Sequence, residues 1–273
     1  MRNKAVFWAS CFLAFALAVL TWQLNFVSSD EENLYLPATR QLPFVTYPSQ
    51  LTQSKVFDNA HLVHGKEVSI WLFSLMQRLL HDFDSLRPLL WTVIAAWGLC
   101  AWLLFRVSFS YWGQHTALIL WIVGIASFWP YVYVLLVKHQ PIGLMFFLAA
   151  VRTLQYKAKG RWGQVCFFIS GLLMAAALHA STVSALYLPF YAAAVGVRLR
   201  FQYRPGPSVL AGVLGGLLIS YYLNYPDFWG NVRAFGAYIH QSQSANHFVF
   251  HQNVFKAWVP DPAAAYGGWR WII

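Results

Sequence analysis

Long apolar runs separated by short basic stretches dominate the chain. The first, Ala5 to Val27, follows Arg2 and Lys4. It reaches the roughly 20 residues a membrane span needs and lacks a small-residue cleavage site, so it predicts an uncleaved transmembrane helix. Further spans are expected at Leu86–Phe105, Thr116–Val137, Pro141–Leu154, Gly163–Leu178, Ser181–Val197 and Ser208–Tyr225. Pro130 sits in the outer third of the third span, and Lys138-His139-Gln140 forms a tight turn before the fourth. The expected fold class is an all-α polytopic membrane protein with about seven transmembrane helices. The runs after Pro141 and Ser181 are short, which suits tilted or re-entrant helices.

Charge then orients these spans. Threaded in this order, Asp30, Glu31, Glu32, Asp58, Glu67, Asp82, Asp84, Asp227 and Asp261 all fall on one side. The other side receives Arg2, Lys4, Arg106, Arg152, Lys157, Lys159, Arg161, Arg198, Arg200 and Arg204, with no acid among them. By the positive-inside rule the basic side is cytoplasmic, so the N-terminus is inside and the C-terminus outside. The outward face is then where carboxylate chemistry is expected.

Two outward segments are long enough to carry function: the loop 28–85 within a transmembrane module 1–225, and an extracytoplasmic tail 226–273. Within the loop, Glu67 to Leu80 reads EVSIWLFSLMQRLL. Its apolar residues Val68, Trp71, Leu72, Leu75 and Leu79 recur at helical spacing. That pattern predicts an amphipathic helix lying in the outer interface. A shorter helix is expected near Glu31–Gln41, capped by Ser29 or Asp30.

Composition narrows the function classes. The chain is 59% hydrophobic and only 10% charged, unlike a soluble domain. Its net charge of +10 is dispersed between apolar spans, which argues against a nucleic-acid partner. Cys11, Cys100 and Cys166 all lie inside expected spans, so no disulfide or zinc site is expected. The tail residues His240, His247 and His251 lack carboxylate partners at metal-binding spacing. No N-x-S/T sequon is present, which is compatible with a bacterial inner membrane.

Several short motifs carry a family resemblance. Asp30-Glu31, then Tyr35 and Arg40, open the outer loop; His64-Gly65-Lys66, then Ile70-Trp71-Leu72, follow. Arg87-Pro88 begins the next span, Lys159 to Pro189 ends in LYLP, and Asp227-Phe228-Trp229 precedes Phe235 and Tyr238. Together they resemble the membrane glycosyltransferases of the GT-C fold, in particular the protein mannosyltransferase and aminoarabinose transferase family. The resemblance implies sugar transfer from a polyprenyl-phosphate donor at the extracytoplasmic face. It implies Asp30 as general base, with Glu31 second, since an inverting transfer needs a carboxylate at the acceptor hydroxyl. It also implies Tyr35, Arg40, Lys66, Arg87 and Lys138 around the donor, with His139 or His179 donating a hydrogen bond to phosphate. Cations or a divalent metal there would stabilise the leaving group; no cofactor is expected, with a divalent metal as the alternative.

The chain departs from that family at three places. Glu67-Val68 stands where the family has Pro-Pro. Lys138-His139-Gln140-Pro141 replaces a second acid, and His179-Ala180-Ser181 replaces a lysine. The chain is also shorter than full-length relatives, which suits a truncated copy, a short variant or one part of a complex with partner subunits. Two other functions stay open: a non-catalytic subunit of a glycan-assembly complex, and a transporter or flippase for a lipid-linked substrate. Against transport, no expected span holds a buried acid. In every reading membrane lipid is a partner.

Overall fold

The computed structural model describes residues 2–22, 66–83, 85–126, 138–156, 161–200, 212, 214–216 and 218. The chain divides into two compact units, Met1–Asp227 and Phe228–Ile273, and every described residue belongs to the first. Among the described residues all regular structure is helical. The elements are α1 (Arg2–Trp22), α2 (Glu67–Leu80), α3 (Arg87–Ala126), α4 (Gln140–Leu154), α5 (Arg161–Ala180) and α6 (Leu188–Arg200). A short 3-10 segment, Thr182–Tyr187, joins α5 to α6.

Two of these helices, α3 and α5, are long and apolar enough to cross a membrane. Helix α3 is not straight. Gly113 adopts φ 80° and ψ −177°, a conformation open to glycine and closed to most other residues. The chain reverses there. A Cβ on Gly124 would lie 3.0 Å from Leu104 Cδ2, whereas 20 residues of unbroken helix would separate those positions by about 30 Å. Ala117 and Phe105 likewise share one buried cluster with Val6. The expected spans Leu86–Phe105 and Thr116–Val137 thus correspond to two antiparallel arms. The first continues past Arg106 to the glycine, and residues 127–137, with Pro130, lie outside the described set.

The expected span Ser181–Val197 is divided. Ser181 is extended, the 3-10 segment follows, and α6 begins only at Leu188. At 13 residues α6 is about 20 Å long, and α4 at 15 residues is little longer; both fall short of the roughly 30 Å hydrocarbon core.

Small residues bring the helices together. A Cβ on Gly98 would lie 2.9 Å from Ala14 Cβ, so α1 and α3 touch closely there. A Cβ on Gly171 would overlap the backbone of Gly212 outright, and Gly216 lies against the Gly171 carbonyl and Ala175. Gly212-x-x-x-Gly216 facing Gly171-x-x-x-Ala175 is the small-residue packing by which apolar helices associate when water supplies no driving force. The outward faces are correspondingly apolar. Phe12 is 72% exposed and Trp162 is 73% exposed, a surface suited to hydrocarbon.

Helix α2 packs against α3 and α5 through a face of mixed polarity. Its buried face carries Glu67, Ser69, Ile70, Phe73, Ser74 and Gln77. Its exposed side carries Trp71, Leu75 and Leu79 from the apolar stripe. The sequence pattern is that of an amphipathic helix, but the buried face is mixed: Ile70 and Phe73 lie there with Glu67, Ser69, Ser74 and Gln77.

Candidate functional site

Ile70 and Phe73, both fully buried, pin α2 to the cluster formed by α1, α3 and α4. Helical spacing then carries Glu67 inward with them, three residues before Ile70. Glu67 is only 2% exposed although it opens its helix, where a carboxylate is favoured by the helix dipole. Its Oε2 lies 3.4 Å from Nδ1 of His179, itself 16% exposed in the last turn of α5. This is a long hydrogen bond. With Glu67 ionised, Nδ1 carries the proton, and Nε2 is the nitrogen Glu67 does not engage. Two residues on, Ser69 Oγ donates to the Ala180 carbonyl oxygen at 2.8 Å. That bond satisfies one of the carbonyls orphaned at the end of α5 and locks the α2 start to the α5 end.

The start of α4 joins the same region. Pro141 suits a first helical turn because its missing N–H would have no partner there. The His139 carbonyl oxygen accepts from Ile142 N at 3.0 Å and from Gly143 N at 3.4 Å. Cys100 Sγ donates to the Pro141 carbonyl oxygen at 3.2 Å, tying α4 to the middle of the first α3 arm. A Cβ on Gly143 would collide with Ser184 Oγ and come within 3.0 Å of Ser181 Cβ, so only glycine admits the α5–α6 junction so closely. His139, Ser181 and Ser184 are buried. The hydroxyls of Ser181 and Ser184 and the Gln140 Oε1 find no hydrogen-bond partner among the described residues. Buried polar atoms in that state are costly, about 1–3 kcal/mol each, and they are suited to engage a polar ligand.

Lys66, Glu67, Lys138, His139 and His179 therefore share one end of the α2–α4–α5 assembly. Arg87 stands apart. It opens α3, beyond the far end of α2, and the 14 residues of α2 put about 20 Å between it and Lys66. Asp82 is occupied locally: its carboxylate accepts from Ser85 N at 3.0 Å and from Ser85 Oγ, closing the turn between α2 and α3. Asp30, Glu31, Tyr35 and Arg40 lie outside the described residues, as do the tail histidines. No three His, Cys, Asp or Glu side chains converge on a metal-sized site among the described residues. Cys11, Cys100 and Cys166 are free thiols.

Glu67 is the residue that sequence reasoning passed over. It is a buried acid in α2, a 14-residue helix outside the expected spans, so the expectation that no span holds a buried acid is not overturned by it. Two signals pointed to it. It replaces proline in the Gly-Lys segment, and it shares a helical face with Ile70, Phe73 and Gln77.

Compared with family models, with curated proteins and with solved structures, the chain gives no match.

Proposed function

We propose that this protein is a membrane transferase of about seven spans, with its N-terminus cytoplasmic, that moves a sugar from a polyprenyl-phosphate donor to an acceptor at the extracytoplasmic face. The observation that carries the reading is the buried Glu67 carboxylate 3.4 Å from His179 Nδ1, at the end of the assembly where Lys66 precedes α2 and Lys138-His139 precede α4. In the proposed reaction the acceptor hydroxyl oxygen attacks the anomeric carbon and the carbon–oxygen bond to phosphate breaks. The hydroxyl proton passes to a carboxylate, Asp30 first and Glu31 second, and polyprenyl phosphate departs with the electron pair. Its growing negative charge needs compensation away from bulk water. Lys66 and Lys138 supply charge, and His179, oriented by Glu67, supplies a hydrogen bond. Gln140, Ser181 and Ser184 offer polar atoms for sugar hydroxyls.

The test is donor kinetics with the purified full chain. Lys138→Ala should raise the KM for a polyprenyl-phosphate sugar at least about tenfold, the cost of one charge-assisted hydrogen bond, while leaving acceptor KM unchanged. Unchanged donor kinetics in Lys138→Ala, or loss of all transfer on adding a chelator, would contradict a site in which cations hold the phosphate.

Transport of a lipid-linked substrate is the second reading, and one observation favours it. A buried acid beside a histidine is the kind of group that carries protons through membrane proteins. Vesicles containing the chain separate the two: donor-dependent proton flux without sugar transfer selects transport.

A further inference from the structure

We propose that the opposite, acid-free end of the bundle holds a binding site for the phosphate of an anionic phospholipid headgroup, built on Arg106 and Arg152. This inference does not depend on the sugar-transfer reading. Arg152 lies in the last turn of α4, and its guanidinium is held from three sides. Nη1 donates to Ser110 Oγ at 3.1 Å and to Gln155 Oε1 at 3.0 Å. The guanidinium carbon lies 5.7 Å from the centre of the Tyr156 ring. Both supports are themselves fixed: Ser110 Oγ donates to the Arg106 carbonyl oxygen at 3.1 Å, and Gln155 Nε2 donates to the Val107 carbonyl oxygen at 3.1 Å.

The consequence is a prepared donor edge. Both hydrogens of Nη1 are used inside the protein. The Nε–Nη2 edge, which pairs with phosphate through two parallel bonds, has no acceptor among the described residues. Arg106 adds a second positive charge one turn away, since Ser110 Oγ bridges the Arg106 carbonyl oxygen and Arg152 Nη1. Such a pair in a partly buried setting calls for an anion. The adjoining sequence does not supply one: residues 106–115, 152–161 and 198–207 contain no Asp or Glu. Among the described residues no carboxylate pairs with Arg152, and an anion from the surrounding lipid fits its open edge.

Position selects a lipid as its source. Arg106 lies seven residues before the Gly113 reversal, and Arg152 lies at the α4 end. Around them Tyr111, Trp112, Tyr156 and Trp162 are exposed. Exposed Trp and Tyr at helix ends mark the level of lipid headgroups. A phosphate diester with net negative charge, at that depth, meets the open edge of Arg152 with Arg106 beside it.

Native mass spectrometry of the detergent-solubilised full chain, titrated with phosphatidylglycerol, phosphatidylcholine or inorganic phosphate, tests the site. Phosphatidylglycerol should bind at least about tenfold more tightly than phosphatidylcholine, and Arg106→Gln and Arg152→Gln should each weaken it about tenfold or more. Arg106 makes no side-chain hydrogen bond among the described residues, so Arg106→Gln carries the test should Arg152→Gln fail to fold. Equal binding of the two lipids, undiminished phosphatidylglycerol binding in Arg106→Gln, or its displacement by millimolar inorganic phosphate would each overturn the proposal.

Discussion

The two ends of α4 treat positive charge in opposite ways. At the start, Lys138 and His139 precede α4 at the end of the assembly where the protein sets its own carboxylate, Glu67, against His179. About 20 Å away, at the other end of the same helix, Ser110 links Arg152 to the Arg106 backbone, with no carboxylate in the adjoining sequence. Burial explains why both arrangements persist. A charge removed from water must be matched, and the match comes either from the chain or from its surroundings. On the proposed reading, the end that supplies one counter-charge of its own still leaves lysine charge for a donor phosphate. An end that leaves cations unmatched recruits an anion.

The largest expected effect comes from a change that strikes both ends alike. Gly171→Val would drive a side chain into the Gly212 backbone and separate the helices that support the bundle. Overpacking against backbone typically costs about 3 kcal/mol or more, and thermal unfolding of the solubilised protein should show it. Donor and lipid binding should fall together. Loss of one alone would mean that the two ends are not supported by the same packing.

Glu67→Ala should discriminate between the ends. Removing one partner of a buried pair leaves the other uncompensated, at about 3 kcal/mol. Thermal unfolding should register that loss, and donor binding should weaken, while phosphatidylglycerol binding at Arg106 and Arg152 stays as it was. If both kinds of binding fell equally, Glu67 would be supporting the whole fold and not one site.

Asp30→Asn sharpens the comparison chemically. It should lower sugar-transfer turnover by roughly 100-fold, the scale of losing a general base, with expression and unfolding temperature unchanged. Asp82→Asn should instead affect stability, because Asp82 closes the α2–α3 turn through Ser85. A larger turnover loss in Asp82→Asn than in Asp30→Asn would reverse the assignment.

The smallest effect lies where α2 ends. His81 takes the left-handed conformation, φ 51°, while its N–H donates to the Arg78 carbonyl oxygen and Asp82 N–H to that of Gln77. Glycine is the residue such a helix end favours, so His81→Gly should stabilise the protein by about 1 kcal/mol. It should leave donor and lipid binding untouched. A destabilised His81→Gly protein would show that the imidazole does more than end the helix.

Much of this was legible in the chain, and the failures are instructive. Apolar length alone located α5, α4 and both arms of α3, because a span needs a run of fixed length and the basic stretches bound it. The division after Ser181 was not legible. Nothing in the run Ser181–Val197 distinguishes a 3-10 turn from a helix; the close approach to Gly143 does that, and it is a tertiary fact. Helix α2 was found but its facing was not anticipated. Its buried face mixes Glu67, Ser69 and Gln77 with Ile70 and Phe73, while Trp71, Leu75 and Leu79 of the apolar stripe are exposed. That mixture hid Glu67. Lys66, Lys138, His139 and His179 were named from the sequence and come to one end of the assembly, while Arg87 lies at the other end of α2. The glycine pairing of Gly171 with Gly212 was present as a spacing and went unread.

The most direct measurement is transfer of a radiolabelled sugar from polyprenyl phosphate by the full chain reconstituted in vesicles, comparing the unaltered protein with Glu67→Gln and Arg106→Gln. Glu67→Gln keeps the shape of the side chain and removes its charge. If the α2–α4–α5 end is the transfer site, the unaltered protein transfers sugar, Glu67→Gln lowers turnover or donor affinity by at least about tenfold, and Arg106→Gln transfers normally. Full transfer by Glu67→Gln, or no donor-dependent transfer by the unaltered protein, would contradict it.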